Sequence, residues 1–219
     1  MRPLADADYR ALRQGAEVIE ADDTGDKVLR LVDGNFIKLF RRKRLITSAA
    51  LLPYARRFAR NAKQLARRGL PCPQVLAIYR VPSIARDLVH YQPLPGHTLR
   101  QLITTGQAND GLQAQLGAFV AKLHEVGVYF RSLHLGNVVM TPEGELGLID
   151  IADLRTQLGR LRKSQCLRNF QHMTRYPVDR QWLLQAGGSA FLGAYCQHSG
   201  HRWNEAQLQA ALGRASQPT

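Results

Sequence analysis

The side chains of this 219-residue chain that could do chemistry together lie between Gly127 and Asp153, in GVYFRSLHLGNVVMTPEGELGLIDIAD. Two short apolar runs, NVVM and LGLIDI, flank the turn-forming TPEGE, and this pattern predicts a small β-hairpin. Ser132, His134 and Asn137 precede the hairpin, and Asp150 and Asp153 follow its second strand. A hairpin returns the chain to its starting point, so Asn137 and Asp150 are expected to be neighbours. An amide oxygen beside a carboxylate is a pair of hard donors suited to Mg²⁺ carrying a phosphate. The plainer reading is a hairpin whose Asn and Asp only cap turns.

The elements that must position this stretch follow from local patterns. Upstream, Glu17–Ala21, Lys27–Val32 and Asn35–Phe40 read as strands, the last two joined at Asp33-Gly34. The turn Asp22–Asp26 holds one glycine, Gly25, and three Asp, a poor cradle for phosphate because carboxylates repel it. Lys38 alternates with Ile37 and Leu39 on a half-buried strand. It either points to solvent or serves a partner. Ser48–Arg68 reads as a helix with Leu51, Ala55, Phe58, Ala62 and Leu65 on one face, arginines elsewhere and Gly69 as its stop. Val75–Val81 and Asp87–Gln92 read as strands, and Pro93–Leu99 as a linker. Asn109 or Asp110 caps a helix whose core face is Leu112, Leu116, Phe119, Val120 and Leu123. His124 on it reads as structural. After Asp153 the chain reads as basic and helical, with closing helices over Val178–His198 and Trp203–Leu212; Ala215–Thr219 read as disordered.

In order, these features resemble the protein-kinase-like phosphotransferases. Phe130-Arg131-Ser132-Leu133-His134-Leu135-Gly136-Asn137 falls on the pattern H-R-D-L-x-x-x-N, and Asp150-Ile151-Ala152 on D-F-G. The LHxGN wording, the Gly69–Pro73 run and Pro93–Leu99 are most similar to the lipopolysaccharide (Kdo/heptose) kinases. That group includes small bacterial proteins labelled toluene tolerance proteins. The resemblance implies an α+β, two-lobed protein-kinase-like fold. Its N-lobe, residues 1–95, would be an antiparallel sheet with one helix, and its C-lobe, residues 96–219, reduced and mostly helical. It also implies ATP and Mg²⁺ as cofactors. Lys38 would contact the α- and β-phosphates, Gly25 would lie in the phosphate loop, backbone near Tyr91 would meet the adenine, and Asn137 and Asp150 would hold the metal. Two positions depart from the pattern. Ser132 stands where the family has its catalytic Asp, and Asn61 where many relatives have the Glu that pairs with the strand Lys. A serine hydroxyl is not ionised at neutral pH, so His134 and Asp153 are the ionisable candidates for the base beside Ser132.

Composition narrows the partners. Lys and Arg number 30 against 17 Asp and Glu, a net charge of +13. Such a surface favours anionic partners, or is basic and merely solvated. Three scattered cysteines without a CxxC indicate a reducing compartment and buried or idle thiols. The first residues carry no apolar core of a leader peptide, and no run reaches the roughly 20 apolar residues of a membrane helix. A cytoplasmic protein is expected, peripheral at most to the inner face of the membrane.

Three readings remain at this stage. One is a phosphotransferase acting on lipopolysaccharide core or another anionic glycolipid. The second is a pseudokinase that binds nucleotide or a scaffold partner without chemistry. The third is a polyanion-binding protein. The set Lys38–Asn137–Asp150 favours the first two, so nucleic acid is not an expected partner.

Overall fold

The computed structural model describes residues 1–42, 53–108, 110–200 and 202–215. The chain forms two compact units. One comprises Met1–Leu94 with Ile151–Asp153, the other Pro95–Asp150 with Leu154–Thr219.

The first unit is built on a six-stranded sheet. Strands β1 (Arg2–Pro3), β2 (Glu17–Asp22), β3 (Gly25–Arg30), β4 (Phe36–Arg41), β5 (Gln74–Val81) and β6 (Arg86–Gln92) lie in the order β1-β5-β6-β4-β3-β2. Only β1–β5 is parallel. The two-residue period of a strand sorts β4 cleanly. Ile37 and Leu39 are buried with Leu29, Leu31, Val81, Leu88 and Tyr9 of helix α1 (Asp6–Leu12). Phe36, Lys38 and Phe40 alternate with them and so share the opposite face. There Phe40 lies 6.0 Å from Tyr54 and 6.4 Å from Phe58, both on helix α2 (Tyr54–Ala66). Phe58 lies 5.3 Å from Tyr91, and Tyr91 lies 5.9 Å from Phe36. Both faces of the sheet are therefore covered.

Helix α2 is the described part of the helix expected over Ser48–Arg68; residues 43–52, including Leu51, lie outside the described residues. Ala55, Phe58, Ala62 and Leu65 are buried, as their spacing requires. The helix stops where the Leu70 N–H bonds back to the Leu65 carbonyl at 3.1 Å, with Gly69 at φ +63°.

The second unit is mostly helical. Its strands form two small sheets. Strands β7 (His97–Thr98), β9 (Val138–Met140) and β10 (Leu146–Leu148) make one, and β8 (Val128–Phe130) with β11 (Leu154–Thr156) makes the other. Gly96 enters β7 at φ +121°, and a Cβ there would run into the Met140 carbonyl, so only glycine permits this close approach. The helices are α3 (Leu99–Thr104), α4 (Asp110–Glu125), α5 (Lys163–Met173), α6 (Pro177–Leu183), α7 (Ser189–His198) and α8 (Glu205–Ala215). Helix α4 packs on α7, burying Leu116, Val120, Leu123, Phe191, Leu192 and Tyr195.

Two expectations are corrected. Leu154–Thr156 is a strand where a basic helical segment was expected, because it pairs with Val128–Phe130 and long-range pairing overrides local propensity. The helix expected over Val178–His198 is broken at Gln185–Gly188, where Ala186 (φ +49°), Gly187 (φ +73°) and Gly188 (φ +74°) leave helical geometry. Two glycines remove the steric barrier to that turn. Asn109, a candidate cap, and residues 216–219 lie outside the described residues.

Candidate functional site

In the second unit, strand β8 delivers the chain into the loop Arg131–Asn137. Phe130 is fully buried and paired with Leu154. Its carbonyl accepts from the Leu133 N–H at 3.2 Å and from the buried Asn169 amide at 2.9 Å. The Ser132 carbonyl accepts from the His134 N–H at 2.9 Å and from Asn137 Nδ2 at 3.0 Å. A carbonyl can only accept, so this bond fixes the Asn137 amide and leaves its Oδ1 lone pairs for another donor or a cation. Asn137 is buried, and its carbonyl accepts from the Ile149 N–H at 3.0 Å. The β9–β10 register, Val138 opposite Leu148, makes that pair the end of the hairpin. Asp150 is the next residue. The structure thus brings Ser132, Asn137 and Asp150 together.

Asp150 is exposed and adopts φ +51°. Left-handed backbone is uncommon for a side-chain-bearing residue, although Asp tolerates it better than most. Strain of this kind persists where the surroundings impose it, and it concentrates at functional positions.

A brace absent from the sequence reading holds the loop from behind. Asp179 of α6 is completely buried. Its carboxylate accepts from the Leu135 N–H at 3.0 Å and, in a bidentate pair, from Arg100 Nη2 at 2.8 Å and Nε at 3.0 Å. The paired carboxylate raises the Arg100 pKa further. The Arg100 guanidinium lies 4.4 Å over the Tyr176 ring, and the His134 ring meets Tyr176 edge-on at 5.1 Å. A Cβ on Gly136 would sit 3.2 Å from His134 Nδ1 and 3.0 Å from Arg100 Nη1. His134 is therefore packed into the brace.

His124 lies deeper. Asn169 gives its Nδ2 to Phe130, so its Oδ1 accepts from His124 Nε2 at 3.3 Å, and Tyr195 donates to His124 Nδ1 at 2.9 Å. Burial pulls the His124 pKa down to about 4. The residue is neutral and structural.

The remaining candidates belong to the first unit. Lys38 is half-buried, paired across β4 with Val28 and Val89, and its ammonium lies 6.0 Å from the Phe40 ring centre. Tyr91 is opposite Phe36, so Lys38 and Tyr91 share one face of the sheet. Gly25 (φ +108°) closes the β2–β3 turn opposite Asp22. Arg86 ties that turn down, donating to the Thr24 carbonyl at 2.5 Å and its hydroxyl at 3.2 Å. Bonds from Thr24, first its hydroxyl and then its N–H, and the Lys27 ammonium at 3.1 Å push the Asp22 pKa strongly down. A carboxylate held in its ionised form thus sits opposite Gly25 in the turn. Asp153 ends the segment Ile151–Asp153 and is half-buried.

Asn61 is buried on α2 and donates Nδ2 to the Ile151 carbonyl at 2.7 Å. No residue of α2 is acidic. At the α2 position where the resemblance implies an acid, the chain carries an amide anchored to the backbone just after Asp150. Among the described residues, no cluster of three or more His, Cys, Asp or Glu could hold a metal, and no helix is long and apolar enough to cross a membrane.

A sheet unit with a helix on each face, followed by a helical unit carrying a loop–hairpin–Asp module, is the α+β, protein-kinase-like fold. Residues 9–131 match the model of the phosphotransferase enzyme family (APH), more than half of the 219 residues, and the chain belongs to that family. The match ends one residue before Ser132. Among solved structures, the chain is similar to the bifunctional kinase-methyltransferase WbdD, at 19% identity over 88% of this chain and 41% of that one, with a TM-score of 0.46. The crystal structure of monomeric WbdD matches at 18% identity over 87% of this chain and 43% of that one, with a TM-score of 0.46. WbdD in co-crystal with the kinase inhibitor LY294002 matches at 16% identity over 88% and 42%, with a TM-score of 0.44. The chain spans about two-fifths of the length of these structures. No curated protein matches it.

Proposed function

We propose that the chain transfers the γ-phosphoryl group of ATP to a sugar hydroxyl of an anionic glycolipid, with lipopolysaccharide core as the acceptor class, as its sequence resemblance to the Kdo/heptose kinases and the toluene tolerance proteins suggests. The observation that carries this reading is the end of the β9–β10 hairpin. Asn137 Oδ1 is left open by the bond from Nδ2 to Ser132, and the exposed Asp150 carboxylate follows one residue past the Asn137–Ile149 bond. Two hard protein oxygens, with phosphate and water oxygens completing the shell, suit Mg²⁺, which usually keeps several waters and takes one or two protein ligands. Bound there, the ion would neutralise charge on the β- and γ-phosphates.

The chain's own residues would do the rest. Lys38 would balance phosphate charge, Tyr91 and its strand would border the base, and the Gly25 turn would lie near the phosphates, although the Asp22 carboxylate weakens it as a cradle. The Asp179 brace keeps the loop rigid without touching substrate. In the transfer, the acceptor oxygen forms a bond to the γ-phosphorus as the bond to the bridging oxygen breaks. The acceptor's proton leaves to a base, for which His134 and Asp153 are the ionisable candidates near Ser132 in the sequence pattern. Packing of His134 against Tyr176 favours Asp153. The basic surface would meet phosphate-bearing lipid at an anionic membrane face, since each Lys or Arg near such a surface contributes about 1 kcal/mol.

A second reading, a pseudokinase, is supported by Ser132 at the base position and by Asn61, which is committed to Ile151 and cannot ion-pair with Lys38. Measuring ATP turnover with purified lipopolysaccharide core separates the two. Acceptor-dependent turnover is expected, and its absence alongside intact Mg²⁺–ATP binding would establish the pseudokinase.

A further inference from the structure

The second unit holds a cleft of about 450 Å³ that the proposed nucleotide and metal residues do not use. Its walls are the outer face of the β8–β11 ladder and the first turns of α5. Tyr129 and Arg155 are opposite one another in the ladder, so their side chains share that face. Ser164, Gln165 and Arg168 face them from α5.

The floor is rigid. The Gln157 N–H bonds to the Gly127 carbonyl at 3.0 Å, and a Cβ on Gly127 (φ +74°) would strike the Gln157 and Gly159 carbonyls. Gln157 Nε2 donates to the Arg160 carbonyl at 2.8 Å, and Gln165 Nε2 donates to Gln157 Oε1 at 3.2 Å. Both glutamines are therefore occupied by structure. Arg155 and Arg168 are not, because among the described residues no carboxylate lies within ion-pair distance of either. The surroundings cannot supply one cheaply. From Leu154 to Tyr176 the chain carries six Arg or Lys and no Asp or Glu. The nearby Glu125 already faces Arg202 at 3.7 Å.

Guanidinium forks on the two facing walls, with the hydroxyl-bearing Ser164 and Tyr129 lining the same cleft, supply the donor types that a tetrahedral dianion takes. The cleft is larger than a bare phosphate needs and falls in the range of small-molecule sites. Tyr129 offers an aromatic face for the remainder. We infer that this cleft binds a phosphate monoester carried on a sugar. That the sugar phosphate is part of the acceptor rests on the phosphotransfer reading above, but phosphate recognition by the cleft does not. The position fits the assignment, since β8 runs directly from this cleft into the loop holding Ser132 and Asn137.

The test uses the full chain without nucleotide or Mg²⁺, titrated calorimetrically with glucose 6-phosphate, glucose and inorganic phosphate. Glucose 6-phosphate should bind, glucose should not, and inorganic phosphate should bind more weakly. Arg155→Gln and Arg168→Gln should each weaken glucose 6-phosphate binding about tenfold or more, since each removes a charge-assisted pair. Both arginines are exposed, so the melting temperature should not change. A parallel arm uses phosphatidylcholine vesicles with and without phosphatidic acid. Vesicle binding lost in both variants, with no sugar-phosphate binding, would move the phosphate onto a lipid headgroup and refute the sugar. Equal affinity for glucose and glucose 6-phosphate, or unchanged affinity in both variants, would overturn the site. Mg²⁺–ATP binding measured on the same variants should be unaffected, so failure of this cleft is distinguishable from failure of the kinase reading.

Discussion

The Asn61 side chain and the Ile151 backbone are joined by a 2.7 Å hydrogen bond across 90 residues of sequence. Asn61 is 2% exposed and Ile151 is fully buried, so water cannot replace either partner. Removing the amide leaves a buried carbonyl unsatisfied, which costs about 1–3 kcal/mol. Asn61→Leu should therefore lower the unfolding free energy in urea by that amount. An unchanged midpoint would mean that the bond contributes nothing.

The Asp179–Arg100 pair makes an ordered prediction. Arg100→Ala strands a fully buried carboxylate and should cost about 3 kcal/mol or more. Asp179→Asn keeps an acceptor for Leu135 and leaves a guanidinium whose side chain is 33% exposed and can rehydrate, so it should cost less. Chemical denaturation of the two variants checks the order.

His124 sets an acid limit. Its pKa in the fold is about 4, against a usual value near 6.5. Above pH 6.5 both folded and unfolded chains are neutral there, and the residue adds no pH dependence. As pH falls from 6.5 towards 4 the unfolded chain takes the proton first, and stability drops by about 1.4 kcal/mol per pH unit, roughly 3 kcal/mol in all. Unfolding curves at pH 7.0, 5.5 and 4.5 should show this slope, and His124→Gln should flatten it.

Asp150 separates function from stability. Asp150→Gly and Asp150→Ala remove the same carboxylate, but only glycine suits the left-handed backbone, so in the absence of ligand the glycine variant should be the more stable of the two by about 1 kcal/mol. Both Asp150→Gly and Asp150→Asn should lose the Mg²⁺-dependent part of the thermal shift given by ATP. Retention of the full shift would remove Asp150 from the site.

Ser132→Asp tests the chemistry. A general base typically contributes 10²- to 10⁴-fold, so restoring a carboxylate should accelerate a slow wild-type enzyme within that range. Asp153→Asn should slow it further. Turnover insensitive to changes at both His134 and Asp153 would place the base elsewhere.

Much of this architecture was legible because it is local. The runs NVVM and LGLIDI around TPEGE announce the hairpin, and Asp33-Gly34 announces the β3–β4 turn. The buried face of α2 follows from Ala55, Phe58, Ala62 and Leu65. What stayed hidden depends on distant partners. Arg2–Pro3 is a strand only because Tyr79 and Arg80 lie beside it. Leu154–Thr156 reads as helical until Val128–Phe130 pairs with it. Asp179 and Arg100 stand 79 residues apart, and the only local hint was a lone acid among Val178, Trp182 and Leu183. Asn61 signalled a missing acid, but its actual partner, a backbone carbonyl, has no sequence signature.

The first unit takes its last piece, Ile151–Asp153, from beyond the first strands and helices of the second. Vectorial synthesis makes this an ordering constraint. At about 5–20 residues per second, the ribosome needs roughly 5–20 s to add the 90 residues separating Asn61 from Ile151. For that interval the nascent sheet and α2 exist without the segment that completes them. The amino-terminal half therefore cannot finish folding first in the usual domain-by-domain manner, and truncation anywhere before Asp153 should yield a chain prone to aggregation.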